Sequence, residues 1–124
     1  MVRGGNIDPW SSEQSTDYDR MVERFGLTPM DLGSIPNPGM LHRRGIVFAH
    51  RDLDVITDSI TKGDPFGVLT GLMPSGRMHL GHSMVIEQVR WFQDQGADVT
   101  VAVADLEALA TRGTPLSIGR ETAL

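Results

Sequence analysis

The chain has no cysteine. Disulfide staples, thiolate nucleophiles and zinc–thiolate centres are therefore excluded. Lysine is almost missing too: ten of the eleven basic residues are arginine, and Lys62 is the only lysine. Sixteen acidic residues outnumber the eleven basic ones, for a net charge of -5, so the whole chain carries no basic footprint for nucleic acid. Eleven of the sixteen acids are Asp, a surface that fits either salt adaptation or coding bias and tells nothing of function. No apolar run approaches the ~20 residues of a membrane span. The start, Met1-Val2-Arg3-Gly4-Gly5-Asn6, has no apolar core of a signal peptide. A cytoplasmic protein with no membrane association is the expectation. What remains is 124 residues that are 40% hydrophobic and 22% charged, enough for one small packed domain.

The first sixteen residues are polar, and Trp10 stands out among them in Asp8-Pro9-Trp10. An indole is poorly tolerated in water, so this tail is expected to dock on the body. Tyr18, Met21, Val22 and Phe25 fall on one helical face, with Asp17 placed to cap its start and Gly26 its end. Residues 28–45 carry Pro29, Pro36 and Pro38 with Gly33, Gly39 and Gly45, and read as an irregular connection holding at most a short helical turn. The run Ile46-Val47-Phe48-Ala49 is apolar, and a second helix is expected from near Asp52 with Leu53, Ile56 and Ile60 inward and Gly63 as its stop.

From Phe66 a strand–helix–strand pattern emerges. Phe66–Thr70 reads as a short buried strand, Gly71–Arg77 as a loop, His79–Gln95 as a helix and Val99–Ala104 as a second strand apolar enough to be buried on both faces. That is a βαβ unit, so the fold class is α/β with a parallel sheet. Thr114-Pro115-Leu116-Ser117 looks like a further helix start. Two or three parallel strands cannot cover both sheet faces, and the chain reads as the opening of a larger protein.

The stretch Pro74-Ser75-Gly76-Arg77-Met78-His79-Leu80-Gly81-His82 lies between the C-terminal end of a strand and the first turn of a helix, where open α/β sheets bind ligands. Unpaired N–H groups and the helix dipole favour an anion there. Ser75 and Gly76 let backbone approach a phosphate, and Gly81 offers a flat surface for a ring. His79 and His82 stand three apart and can donate to phosphate oxygens as charge builds in a transition state. No Gly-Lys-Ser/Thr follows, so this is not a Walker loop; nor is it a Gly-x-Gly-x-x-Gly fingerprint. Two histidines without a third ligand are a weak zinc site, and no metal site is expected. The competing structural reading is that both histidines only cap and pack the helix.

His79-Leu80-Gly81-His82 resembles the HIGH signature of class I aminoacyl-tRNA synthetases and their nucleotidylyl-transferring relatives. The wider run from Thr70-Gly71 to Ala104-Asp105-Leu106-Glu107 is similar to the archaeal and eukaryotic tryptophanyl-tRNA synthetases. Asp8-Pro9-Trp10, Asp17-Tyr18-Asp19, Arg24-Phe25-Gly26, Arg43-Arg44-Gly45-Ile46 and His50-Arg51-Asp52 resemble that family's N-terminal blocks in order and spacing. The resemblance implies the first part of a Rossmann-like (HUP-type) nucleotide-binding domain over residues 65–124, after a mostly helical N-terminal extension over 1–64. It implies ATP-dependent activation of tryptophan and transfer to tRNA. Thr70, Gly71, Ser75, Gly76 and Gly81 would bind ATP, and His79 and His82 would act in catalysis. Glu107 and Gln88 would be candidate contacts to the amino acid, a solvated position being the alternative for each. The implied partners are tryptophan, ATP with Mg2+ as substrate, the acceptor end of tRNA and a second copy in a homodimer, with no tightly bound cofactor. Asp8-Pro9-Trp10 resembles an extension that folds over the ATP site.

Two positions depart from the eukaryotic pattern. Leu69 stands where those enzymes have tyrosine and Ala102 where they have glutamine, so the indole must be read by other residues. The alternatives to a tryptophan–tRNA ligase are a tyrosyl-tRNA synthetase, a nucleotidylyltransferase, or a nucleotide-binding product without activity. Arg43, Arg44 and Arg51 form a local basic cluster that reads either as a tRNA surface or as fold-stabilising ion pairs. The signature loop that holds pyrophosphate in this class is not among these residues, and the chain alone is expected to activate tryptophan poorly.

Overall fold

A computed structural model describes residues 18–74 and 76–123. The Trp10 tail, the Asp17 cap and Ser75 lie outside the described residues.

Helix α1 (Tyr18–Phe25) follows the expected stripe, and its Tyr18 ring meets Phe48 at 4.7 Å between centroids. The segment after it is more ordered than its Pro/Gly content suggests. Strand β1 (Thr28–Pro29) pairs antiparallel with β2 (Ala49–His50), matching Thr28 to His50 and Pro29 to Ala49. A 3-10 turn at Leu32–Ser34 is capped by Asp31, whose Oδ1 accepts from the Gly33 N–H at 2.9 Å. A single helical turn, α2 (Met40–Arg43), comes next. Helix α3 (Leu53–Lys62) starts where expected, but the side chain at its mouth is His50, whose Nδ1 accepts from the Leu53 N–H at 3.2 Å. Gly63 ends it in the left-handed region at φ +73°, a conformation glycine adopts without cost.

Strands β3 (Gly67–Leu72) and β4 (Asp98–Val103) form a parallel pair in register Gly67 to Asp98 through Leu72 to Val103. Helix α4 (Leu80–Asp94) connects them and packs on both. The βαβ reading holds, with two corrections at the strand ends. Gly71 and Leu72 belong to the strand rather than the loop, and Phe66 lies just before it. Parallel ladder bonds reach as far as Ala104 N–H to Leu72 O at 2.9 Å, which keeps the strand extended past Thr70.

Beyond a capping role for Asp105, helix α5 (Asp105–Arg112) has no span assigned from the sequence; α6 (Leu116–Ala123) is the expected further helix. The missed helix is short and weakly periodic: only Ala108 is fully buried, while Leu106 is 67% exposed. It is held against α6 by Arg120, whose Nε donates to Asp105 Oδ2 at 3.0 Å, and that pairing lowers the Asp105 pKa. Both faces of β4 were expected to be buried, and they are not. In β4 only Val99 is half-buried, and Val101 and Val103 are each 47% exposed; in β3 Val68, Thr70 and Leu72 are half-buried, whereas Leu69 on the opposite face is 73% exposed. One crossover helix can shield only one face of the pair.

The bulkiest buried side chain among the described residues is Trp91 in α4, 7% exposed. Its indole N–H donates to the Asn37 carbonyl at 2.8 Å, and its ring meets His42 edge-on at 4.5 Å. A Cβ placed on Gly39 would lie 2.9 Å from Trp91 Cδ1, so the chain can cross the indole there only as glycine. Ile35 and Leu41 complete this small core. Segment 35–42 is thus fastened to α4.

His42 is almost wholly buried. Its Nδ1 accepts from the Gly39 N–H at 3.1 Å, so the neutral ring carries its proton on Nε2, which faces the Gln88 amide at 3.2 Å. The amide orientation that satisfies this proton puts the Gln88 carbonyl oxygen toward the ring. Gln88 is therefore not a solvated helix position; its amide is spent in the core.

Two outcomes follow from this packing. Trp91→Phe keeps most of the ring and loses the bond to Asn37, and should lower unfolding stability in urea by about 1–2 kcal/mol; a change within experimental scatter would mean the indole N–H is not an anchor. Burial first, and the Arg43 charge second, hold the His42 pKa below 6.5. The unfolded chain then binds the proton more readily than the folded one, so the contribution is intact above pH 6.5 and lost as pH falls below it. Urea midpoints measured between pH 7.5 and 5 should drop, and the drop should shrink in His42→Asn.

Candidate nucleotide site

The loop after β3 leads directly into α4, so the C-terminal end of the strand and the N-terminus of the helix meet at residues 72–82. His79 is the N-cap of α4, and its Nδ1 accepts from the Gly81 N–H at 3.2 Å. His82 is the third helical residue, and its Nδ1 accepts from the His79 N–H at 3.3 Å. The two rings lie 4.0 Å apart between centroids. This is capping-box geometry built from two imidazoles instead of a hydroxyl and a carboxylate.

Both histidines therefore do cap the helix. That structural role does not compete with a chemical one, because the two roles use different atoms. Accepting a backbone proton at Nδ1 fixes each neutral ring as the Nε2–H tautomer. The two Nε2–H groups take no part in the cap and remain as donors. Gly81 serves this arrangement sterically: an added Cβ would lie 3.1 Å from His79 Cε1 and 3.2 Å from Nδ1. Sequence reasoning gave Gly81 only to a ligand ring; its contact with His79 is what the structure adds.

Around the helix mouth lies an open cavity of about 340 Å³, lined by Gly71, Leu72, Met73, His79, Gly81, His82, Val85 and Arg112. Four of the expected ATP contacts and catalytic groups, Gly71, Gly81, His79 and His82, are brought together here. His82 also borders a small apolar hollow of about 50 Å³, which Gly76, Met78 and Thr122 share. Gly76 sits at φ +156°, where a side chain would be strained. Thr70 is one residue before Gly71 in β3, opposite Val101, and does not line the larger cavity. Glu107 is exposed on α5, and neither it nor Gln88 lines that cavity. Arg112 was missed, since it lies on the helix the sequence reading left out.

Register places Leu69 and Ala102 on one face of the sheet, the open one, with Thr100 opposite Leu69. The Arg43 and Arg51 side chains do not form the ion pairs considered from sequence. Arg43 donates to the Pro38 carbonyl and Arg51 to the Phe25 carbonyl, and among the described residues neither pairs with a carboxylate. No helix among them is long and apolar enough to cross a membrane.

A family model described as tRNA synthetases class I (W and Y) matches residues 61–122, which include β3, α4, β4 and the two histidines. The chain belongs to that family. It is 47% identical over 109 residues to the tryptophan–tRNA ligase of Methanosarcina acetivorans, covering 86% of this chain and 25% of that protein. It is 41% identical over 118 residues to the tryptophan–tRNA ligase of Archaeoglobus fulgidus, covering 94% and 28%. The crystal structure of tryptophanyl-tRNA synthetase from Aeropyrum pernix aligns with a TM-score of 0.77 at 39% identity, over 94% of this chain and 34% of that one. That from Encephalitozoon cuniculi bound to tryptophan aligns at 0.76 and 28% identity, over 86% and 34%. The chain thus spans about a quarter to a third of the proteins it matches.

The cap geometry sets a sign test. An ordinary Gly→Ala change inside a helix gains up to about 1 kcal/mol. Gly81→Ala should instead lose about 0.5–2 kcal/mol in urea unfolding, because the methyl displaces the His79 cap. A stabilised variant would show that His79 does not lie over Gly81.

Proposed function

We propose that this chain forms the N-terminal part of a tryptophan–tRNA ligase and carries the adenylate-forming half of its ATP site. Residues 1–64 are assigned to an extension and residues 65–124 to the start of the catalytic domain, in keeping with a family match that begins at residue 61 and with two separate sheets on either side of α3. The observation that carries the reading is the pair of backbone-bound Nδ1 atoms in His79 and His82, which leaves two oriented Nε2–H donors beside Gly71 and Gly81.

In the activation step a tryptophan carboxylate oxygen attacks the α-phosphorus of MgATP. The acyl–phosphate bond forms, the bond from the α-phosphorus to the bridging oxygen breaks, and magnesium pyrophosphate leaves. Negative charge grows on the phosphate oxygens as this happens. Donors already fixed by the backbone need no reorganisation to meet that charge, which is how such groups lower a barrier. Thr70, Gly71, Ser75, Gly76 and Gly81 form the bed for the nucleotide in this reading. The activated acyl group then passes to the 3′-terminal ribose hydroxyl of tRNA, releasing AMP. No covalent bond to the protein is required, in keeping with the lack of cysteine.

Tryptophan rather than tyrosine is favoured by the names of the relatives, since the family model spans both. Leu69 and Ala102 share the open sheet face, which suits an apolar ring, and Glu107 follows β4 closely enough to serve an amino-acid pocket. Gln88, held by His42, is given a packing role. A cytoplasmic homodimer without a tightly bound cofactor completes the proposal.

A chimera tests it. Residues 1–124 replace the matching segment of the Aeropyrum pernix enzyme, and tryptophan-dependent ATP–pyrophosphate exchange is measured. Exchange is expected, and His82→Ala should cut kcat by roughly 10²–10³ with little change in KM for tryptophan. A folded chimera without exchange would contradict the ligase reading. Equal losses in kcat and in tryptophan affinity would make His82 purely structural.

A further inference from the structure

The cavity beside the two histidines has one permanently charged residue among its eight lining residues, Arg112 at the last turn of α5. No carboxylate lines it. Among the described residues Arg112 has no hydrogen bond or ion pair, in contrast to Arg120, Arg43 and Arg51, which are all engaged. An arginine without a partner, beside two histidines whose free ring nitrogens can only donate, gives a cavity wall of donors with nothing to accept from them. Such a wall is complementary to a multiply charged oxyanion, and a guanidinium suits phosphate best because its planar fork engages two oxygens at once. A cavity of about 340 Å³ is within the range of small-ligand sites. Glycines 71 and 81, also in the lining, carry no side chain and leave room for the rest of a ligand.

We propose that Arg112 is a substrate-binding residue that grips the phosphate chain of the nucleotide. This rests on the nucleotide reading given above and deepens it: α5 supplies a third phosphate donor from outside the histidine motif. Arg112 then discriminates by charge. It should favour ATP and pyrophosphate over adenosine, while His79 and His82 wait on the α-phosphate.

The test uses the isotope-labelled 124-residue chain and follows titrations with MgATP, magnesium pyrophosphate and adenosine by amide NMR. The wild-type chain should bind MgATP more tightly than adenosine, with the shifts centred on residues 71–82 and 112. Arg112→Gln should weaken MgATP and pyrophosphate by roughly tenfold and leave adenosine unchanged, and Arg112→Lys should recover part of the loss. The advantage of ATP over adenosine should also shrink as salt rises. Because Arg112 is exposed and unbonded, the amide spectrum of Arg112→Gln should otherwise match the wild type, which separates lost binding from lost folding. Unchanged MgATP affinity in Arg112→Gln, with adenosine still bound, would overturn the role of Arg112 and leave the nucleotide reading standing. Pyrophosphate binding that depends on Arg112, without any adenosine binding, would support the anion grip and overturn the adenine part of the reading. Binding of none of the three would overturn both.

Discussion

The docking of segment 35–42 onto Trp91 ties the two parts of this molecule together. Helix α4 is shared property: its first turn carries the paired histidines, and its last turns carry the indole on which Gly39, His42 and the Asn37 carbonyl converge. That helix also packs on both strands of the two-stranded sheet. Holding it by a buried aromatic with a satisfied N–H sets where its N-terminus meets the end of β3. The N-terminal elements therefore bear on the geometry of a site more than two helical turns away.

That site uses its backbone economically. Helix N-termini leave N–H groups without partners, and most sequences satisfy them with a Ser, Thr or Asp side chain. Histidine at both capping positions satisfies the same groups with one ring nitrogen and leaves the other out of the cap, on residues that line the cavity. Gly81 gives the His79 ring its room, since a Cβ there would press on it at 3.1 Å. In the proposed function the cap and the chemistry are one arrangement, so a variant that breaks the first should reach the second.

Much of this was legible in the sequence. The strand–helix–strand order, the span of α4 and the importance of residues 71–82 follow from an apolar run, a periodic stretch and a motif with unusual residue types. Less legible were features that depend on partners distant in sequence. α5 is short and mostly exposed, and it gains its place from Asp105 pairing with Arg120 on α6. Gln88 looked like a surface residue because nothing local shows that His42, forty-six positions earlier, lies against it. Arg112 could have been flagged only once α5 was known. The exposed face of Leu69 is explained by count: one helix covers one side of a parallel pair, however apolar the strand.

The central claim is that the backbone holds His79 and His82 as Nε2–H tautomers aimed at an anion. Long-range ¹H–¹⁵N correlation of the histidine side chains at pH 7.5 tests it most directly. The account predicts bare, accepting Nδ1 and protonated Nε2 in both rings, with the Nε2 resonances moving on addition of MgATP and staying in place with adenosine. Protonation at Nδ1 in either ring, or Nε2 signals indifferent to MgATP, would contradict it.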